Sequence, residues 1–169
     1  VSNNLKDKMY GKNKNVDRVI WNSTLDSRTS DICQVYDGKI FLKTEGPRPP
    51  AHPNCRSQIL PVFVGETNAQ AISSTTPRPA VVPTDKFESI STKSGKPRKP
   101  SRTKGSQLVG KQVSNRNYET YIKSQPAAYQ RQVLGSAAYE KLRDGESLIS
   151  VIKSKNNTLD LSGLKKALN

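Results

Sequence analysis

The sequence predicts an α+β fold: a small antiparallel β-hairpin module carrying a Cys/His loop, an extended basic linker, and a C-terminal module of short helices. Three observations lead there. Residues 16–64 hold clusters of β-branched and aromatic residues around an Asp37-Gly38 pair. Residues 116–169 hold apolar residues at helical spacing between capping residues and Gly. Between them, residues 65–115 turn to Ser, Thr, Pro and Lys, a composition too poor in apolar side chains to offset the entropy of ordering.

Taken in chain order, residues 1–15 are rich in Asn and Lys without apolar periodicity and predict an extended arm. Val19, Ile20 and Trp21 predict a strand that ends at a turn near Asp26. Cys33–Tyr36 and Lys39–Leu42 flank Asp37-Gly38, which predicts a two-residue type I′ hairpin, since both central residues need positive φ. Three prolines in Gly46–Pro50 exclude helix and central strand and predict a loop that delivers His52 and Cys55. Gln58–Val64, β-branched around Pro61, predicts an edge strand.

The predicted linker covers 65–115, and its PRPAVVP portion suits extended structure. Within it, Lys93, Lys96, Arg98, Lys99, Arg102 and Lys104 form a basic run broken by Pro97 and Pro100, a candidate DNA- or partner-binding segment. Beyond it, Asn117 predicts the cap of a helix through Ile122, Pro126 opens a second helix that Gly135 ends, and Ser136 predicts the cap of a third. Leu148–Ile152 and Leu161–Leu168 predict two more short helices. The tyrosines at helical spacing read as core rather than as stacking platforms, because this module has few other large residues to bury.

With only 33% apolar and 6% aromatic residues in 169, a single large core is not expected, and two modules are. No run approaches the roughly 20 apolar residues that span a bilayer, so no membrane partner is expected. The net charge of +14 favours an anionic partner through counterion release. It is spread along the chain but densest in residues 65–115, where Lys and Arg outnumber Asp and Glu 9 to 3.

Both cysteines and the sole histidine fall between residues 33 and 55, and His52 and Cys55 share the loop His-Pro-Asn-Cys-Arg. Cys33, His52 and Cys55 are candidate ligands of a structural Zn2+, which prefers four Cys or His donors. Three are present, so Asp31 or Asp26 is the candidate fourth. Free buried thiols and a Cys33–Cys55 disulfide are the competing readings. No catalytic residue is assigned. The Cys/His loop lacks an orienting third group, and an HNH-type nuclease needs a second histidine that this chain does not have. Asp26, Arg28 and Thr29 read as a turn cap with a neighbouring cation rather than as an active-site triplet.

Two ordered motifs resemble the Mu F-like minor head protein, or head morphogenesis, family of tailed bacteriophages. The first is Asp-x-Arg-Thr, then Cys, Asp-Gly and His-Pro-x-Cys-Arg, carried by Asp26, Arg28, Thr29, Cys33, Asp37, Gly38, His52, Pro53, Cys55 and Arg56. The second is NYETYIKSQPAAYQRQVLGSAAYEKLRDG near the C-terminus. Together they cover roughly residues 17–64 and 110–169. That family often has further cysteines where this chain has Ser30 and Ser57.

The resemblance implies the C-terminal part of a non-enzymatic virion component, made in the bacterial cytoplasm and present in multiple copies per phage head. Its implied partners are portal and capsid subunits, with packaged DNA a further partner. A zinc-ribbon-like nucleic-acid-binding module is the alternative expectation, and a metal-dependent nuclease a more distant one.

Overall fold

A computed structural model describes residues 3–66, 77–83, 108–113 and 117–168 and shows a mixed α+β architecture. The basic run from Lys93 to Lys104 lies outside the described residues. Helix α1 (Asn3–Lys12) precedes strand β1 (Val16–Asn22), helix α2 (Asp31–Tyr36), and strands β2 (Ile40–Leu42) and β3 (Gln58–Phe63). Strands β4 (Arg78–Pro83) and β5 (Leu108–Val113) follow. Four short helices come next, α3 (Tyr118–Lys123), α4 (Ala127–Leu134), α5 (Ser136–Arg143) and α6 (Leu148–Lys155), before a 3-10 turn at Ser162–Lys166.

Strand β1 is the centre of a three-stranded antiparallel sheet in the order β2-β1-β3, with Ile20 opposite both Ile40 and Leu60. Successive side chains of a strand point to opposite faces. Val19 and Trp21 therefore join Cys33, Tyr36, Phe41 and Ile59 on one face, while Ile20 joins Ile40 and Val62 on the other. Pro61 sits opposite Val19 on the outer strand, where a missing N–H costs no ladder bond. On the other flank, Leu168 bridges to Ile40.

Four expectations are corrected. Residues 3–12 are helical rather than an extended arm. Arg48 bonds to Asp7 of this helix and donates to the Leu42, Lys43 and Glu45 carbonyls, which ties α1 to the proline-rich loop.

The second correction concerns the hairpin. Residues 31–36 are a helix, with Ile32, Val35 and Tyr36 at helical spacing on its inner side. Asp37 (φ −58°, ψ 127°) and Gly38 (φ +77°) then form a type II turn, closed by the Lys39 N–H donating to the Tyr36 carbonyl at 2.9 Å. Only the second central residue needs positive φ there, and glycine supplies it.

Third, the span 65–115 is not all linker. β4 and β5 pair antiparallel from Arg78↔Val113 to Pro83↔Leu108, and Leu25 bridges to Ala80. Fourth, the two expected modules share one core. Leu25, Val35 and Ala80 pack in the same buried cluster as Tyr118, Tyr121, Ile122 and Tyr129.

The C-terminal helices follow the expected signals closely. Asn117 accepts the Thr120 N–H at 2.9 Å as cap of α3. Gly135 (φ +91°) ends α4, and it also takes the cap position of α5 that Ser136 was expected to fill. Tyr118, Tyr121 and Tyr129 are fully buried, and the Tyr121 and Tyr129 hydroxyls bond at 3.0 Å, so the tyrosines are core.

Candidate metal centre

Cys33 is the third residue of α2 and is held from behind by a buried polar chain. The Trp21 indole N–H donates to Ser23 Oγ, and Ser23 Oγ donates to the Cys33 carbonyl and meets Ser57 Oγ at 2.9 Å. Because Trp21, Ser23 and Ser57 come from β1 and the residues flanking the sheet, the helix carrying Cys33 is registered on the sheet itself.

His52 and Cys55 arrive on a second turn of the type II pattern. The Cys55 N–H donates to the His52 carbonyl at 3.2 Å, Pro53 takes the first central position, and Asn54 the second with φ +59°. Asparagine is among the few non-glycine residues that tolerate that conformation. The His52 Nδ1–H donates to the Pro53 carbonyl at 2.8 Å, which leaves the Nε2 lone pair free. That Nε2 lies 3.2 Å from Cys33 Sγ, and Cys33 Sγ lies 3.6 Å from Cys55 Sγ.

These three donor atoms all lie within 4.8 Å of one another, close enough to bind a metal ion. With metal–sulfur bonds of about 2.3 Å and metal–nitrogen bonds of about 2.0 Å, the edges of a tetrahedron come to roughly 3.7 Å for S···S and roughly 3.5 Å for S···N. The observed separations are near those edges. A disulfide would need the sulfurs about 2.05 Å apart, and both cysteines are free.

The two thiols are electrostatically unequal. Burial pushes Cys33 up to about 11, against the Ser30 and Ser57 hydroxyls that favour its thiolate. Burial also raises Cys55, but backbone N–H groups of Ala51 and Ser57 and the side chains of Cys33 and Ser57 outweigh it and bring that thiol below its ordinary value. Backbone amides aimed at a sulfur are what a thiolate ligand requires of its surroundings.

Neither expected fourth ligand reaches the cluster, because each carboxylate is committed elsewhere. Asp26 accepts both Arg56 guanidinium nitrogens at 2.6 and 2.8 Å, the Arg28 backbone N–H at 2.9 Å and the Thr29 hydroxyl at 3.1 Å. Burial alone would raise its carboxyl; the Arg56 guanidinium leads the groups that bring it below the ordinary range. Asp31 pairs with Lys155 at 3.3 Å. Asp26 thus caps its turn as expected, and its cationic partner is Arg56.

Sequence reasoning missed a second constellation. Asp37 is completely buried and accepts the Ser23 and Tyr118 backbone N–H groups, each at 2.7 Å, together with the Arg78 guanidinium. Arg78 also donates to Asn22 Oδ1. Burial pushes the Asp37 carboxyl up, opposed chiefly by Arg78. The Tyr118 hydroxyl donates to the Asp26 carbonyl at 2.7 Å. Asp37 and Asp26 therefore fasten the start of the C-terminal helices to the turns that frame the Cys/His cluster. Nothing in the sequence marks Arg78 as the partner of Asp37, since it stands between prolines 41 residues away.

Compared with known proteins, the chain matches no family model, no curated protein and no solved structure. Among the described residues, no helix is long and apolar enough to cross a membrane.

Proposed function

We propose that the chain is a structural, non-enzymatic component of a tailed-bacteriophage head, of the Mu F-like minor head class, in which Cys33, His52 and Cys55 hold a structural Zn2+. The observation that carries this reading is how the residues of the resemblance are used. Asp26, Asp37, Arg56 and Tyr118, drawn from both halves of the motif, are spent on bonds to one another and to backbone. Motif residues consumed in joining distant parts of a chain serve architecture, whereas a hydrolytic site keeps a general base within reach of the metal. Zn2+ suits the donor set of two sulfurs and one imidazole. Its role here is to fasten α2 to the His52–Cys55 turn.

In this reading portal and capsid subunits are the partners and the virion the location, with multiple copies per particle. The experiment is peptide mass spectrometry of DNA-filled heads banded in a density gradient after induction of the phage that encodes the chain. Recovery in the head band at several copies per particle is the expected outcome. Recovery only among unassembled proteins overturns the reading.

The net charge of +14 favours a second reading, a zinc-ribbon-like module that binds nucleic acid. It expects the isolated chain to bind duplex DNA with an affinity that falls steeply as salt rises, and salt-independent or absent binding counts against it.

A further inference from the structure

Resting on the metal reading above, we infer that the centre has an exchangeable fourth position that takes an anionic oxygen donor of the carboxylate class, steered by Arg28. Among the described residues, the groups able to coordinate end at Cys33, His52 and Cys55. Two of those three, Cys33 and His52, line a small open cleft whose other walls include Thr24, Arg28, Asn54 and Ser57. The cleft has hydroxyl, amide and guanidinium groups but no carboxylate or thiol beyond Cys33. A tetrahedral ion held by three protein donors keeps its fourth bond for water or an incoming ligand.

Charge decides which ligand. Two thiolates and a neutral imidazole cancel the charge of a divalent ion, and Arg56 is neutralised by Asp26 at 2.6 Å. The Arg28 side chain is exposed and makes no hydrogen bond or ion pair among the described residues, its backbone N–H alone being engaged by Asp26. The cleft is therefore left with one uncompensated positive charge beside an open coordination site. A carboxylate would satisfy both, since Cys33, His52 and Cys55 would hold the ion and leave it a bond for an oxygen donor, while the Arg28 guanidinium would pair with the remaining charge.

Ser57 provides the control. It is buried and lines the same cleft as Cys33 and His52, so a thiol at that position would supply a fourth protein donor and close the site.

The test uses the full chain loaded with Co2+, whose thiolate charge-transfer and visible bands report coordination, in carboxylate-free buffer and then titrated with acetate. The expected result is a saturable change in the visible bands. R28Q should weaken it about tenfold, on the scale of one charge-assisted hydrogen bond, and S57C should abolish it. A band change that instead accompanies rising protein concentration, without acetate, supports the site and assigns the carboxylate to a second copy of the chain. Bands formed normally but indifferent to acetate and to protein concentration overturn the inference while leaving the metal centre intact. Failure to bind Co2+ or Zn2+ at all overturns the metal reading itself, and the inference with it.

Discussion

Asp26 is the residue through which acidity reaches the fold. It touches Arg56 of the His-Pro-Asn-Cys-Arg loop, the turn that leads into α2 and, through its carbonyl, Tyr118. Its carboxyl is held below the ordinary range in the folded chain, so it contributes stability above its unfolded value of about 3.9, and that contribution is lost as pH falls through the folded value. D26N should accordingly melt well below the wild type at pH 6, with the gap narrowing as pH drops below about 4. Thermal unfolding followed at both pH values checks it, and a gap that stays constant to pH 3 contradicts the assignment. At this scale the sequence was legible where residue types are scarce. Two cysteines and one histidine in a short span have few reasons to converge, and they do converge. Asp31 and Asp26 were less legible as ligands because a carboxylate has many potential partners, and their choice of Lys155 and Arg56 depends on packing that spacing does not encode.

Among the elements, α2 and β4 show where local signals run out. An Asp-Gly pair marks a type I′ hairpin and a type II turn equally well, and what separates them here is the apolar spacing of Ile32, Val35 and Tyr36 before the turn. Averaged composition hid β4 and β5 for a different reason. Each is six residues long, and their place in the fold comes from non-local partners, Leu25 for Ala80 and Asp37 for Arg78. The C-terminal helices were read more closely because caps and glycine stops act within a few residues of themselves. β4 also carries the sharpest energetic expectation. R78A leaves the Asp37 carboxyl buried without its cation, which costs about 3–5 kcal/mol, whereas D37N/R78M removes both partners and should cost less than R78A alone. Urea unfolding of the two variants ranks them, and an R78A loss under about 1 kcal/mol contradicts the role given to the pair.

For the whole molecule, the shared core makes the two halves one thermodynamic unit. Trp21 packs in the cluster that holds Cys33, while most of the helix lies C-terminal to residue 117. Tryptophan fluorescence therefore reports the first half of the chain and far-ultraviolet circular dichroism mainly the second. The two urea transitions should coincide, as a two-state domain requires. Separated midpoints would mean that the cluster joining Leu25 and Val35 to Tyr118 and Tyr121 contributes little coupling.

The pairing of Pro83 with Leu108 changes what the intervening basic residues can be for. A segment whose ends are fastened side by side cannot set the spacing between two bodies. Its length is then nearly free, since closing a segment twice as long costs only about 0.6 kcal/mol more. Duplicating residues 84–107 in tandem should leave the urea midpoint almost unmoved while adding seven more Lys and Arg residues. The fold is in that sense a clasp through which cationic sequence can be lengthened or shortened without renegotiating the core, so dosage of charge and integrity of structure become separately adjustable properties of one chain.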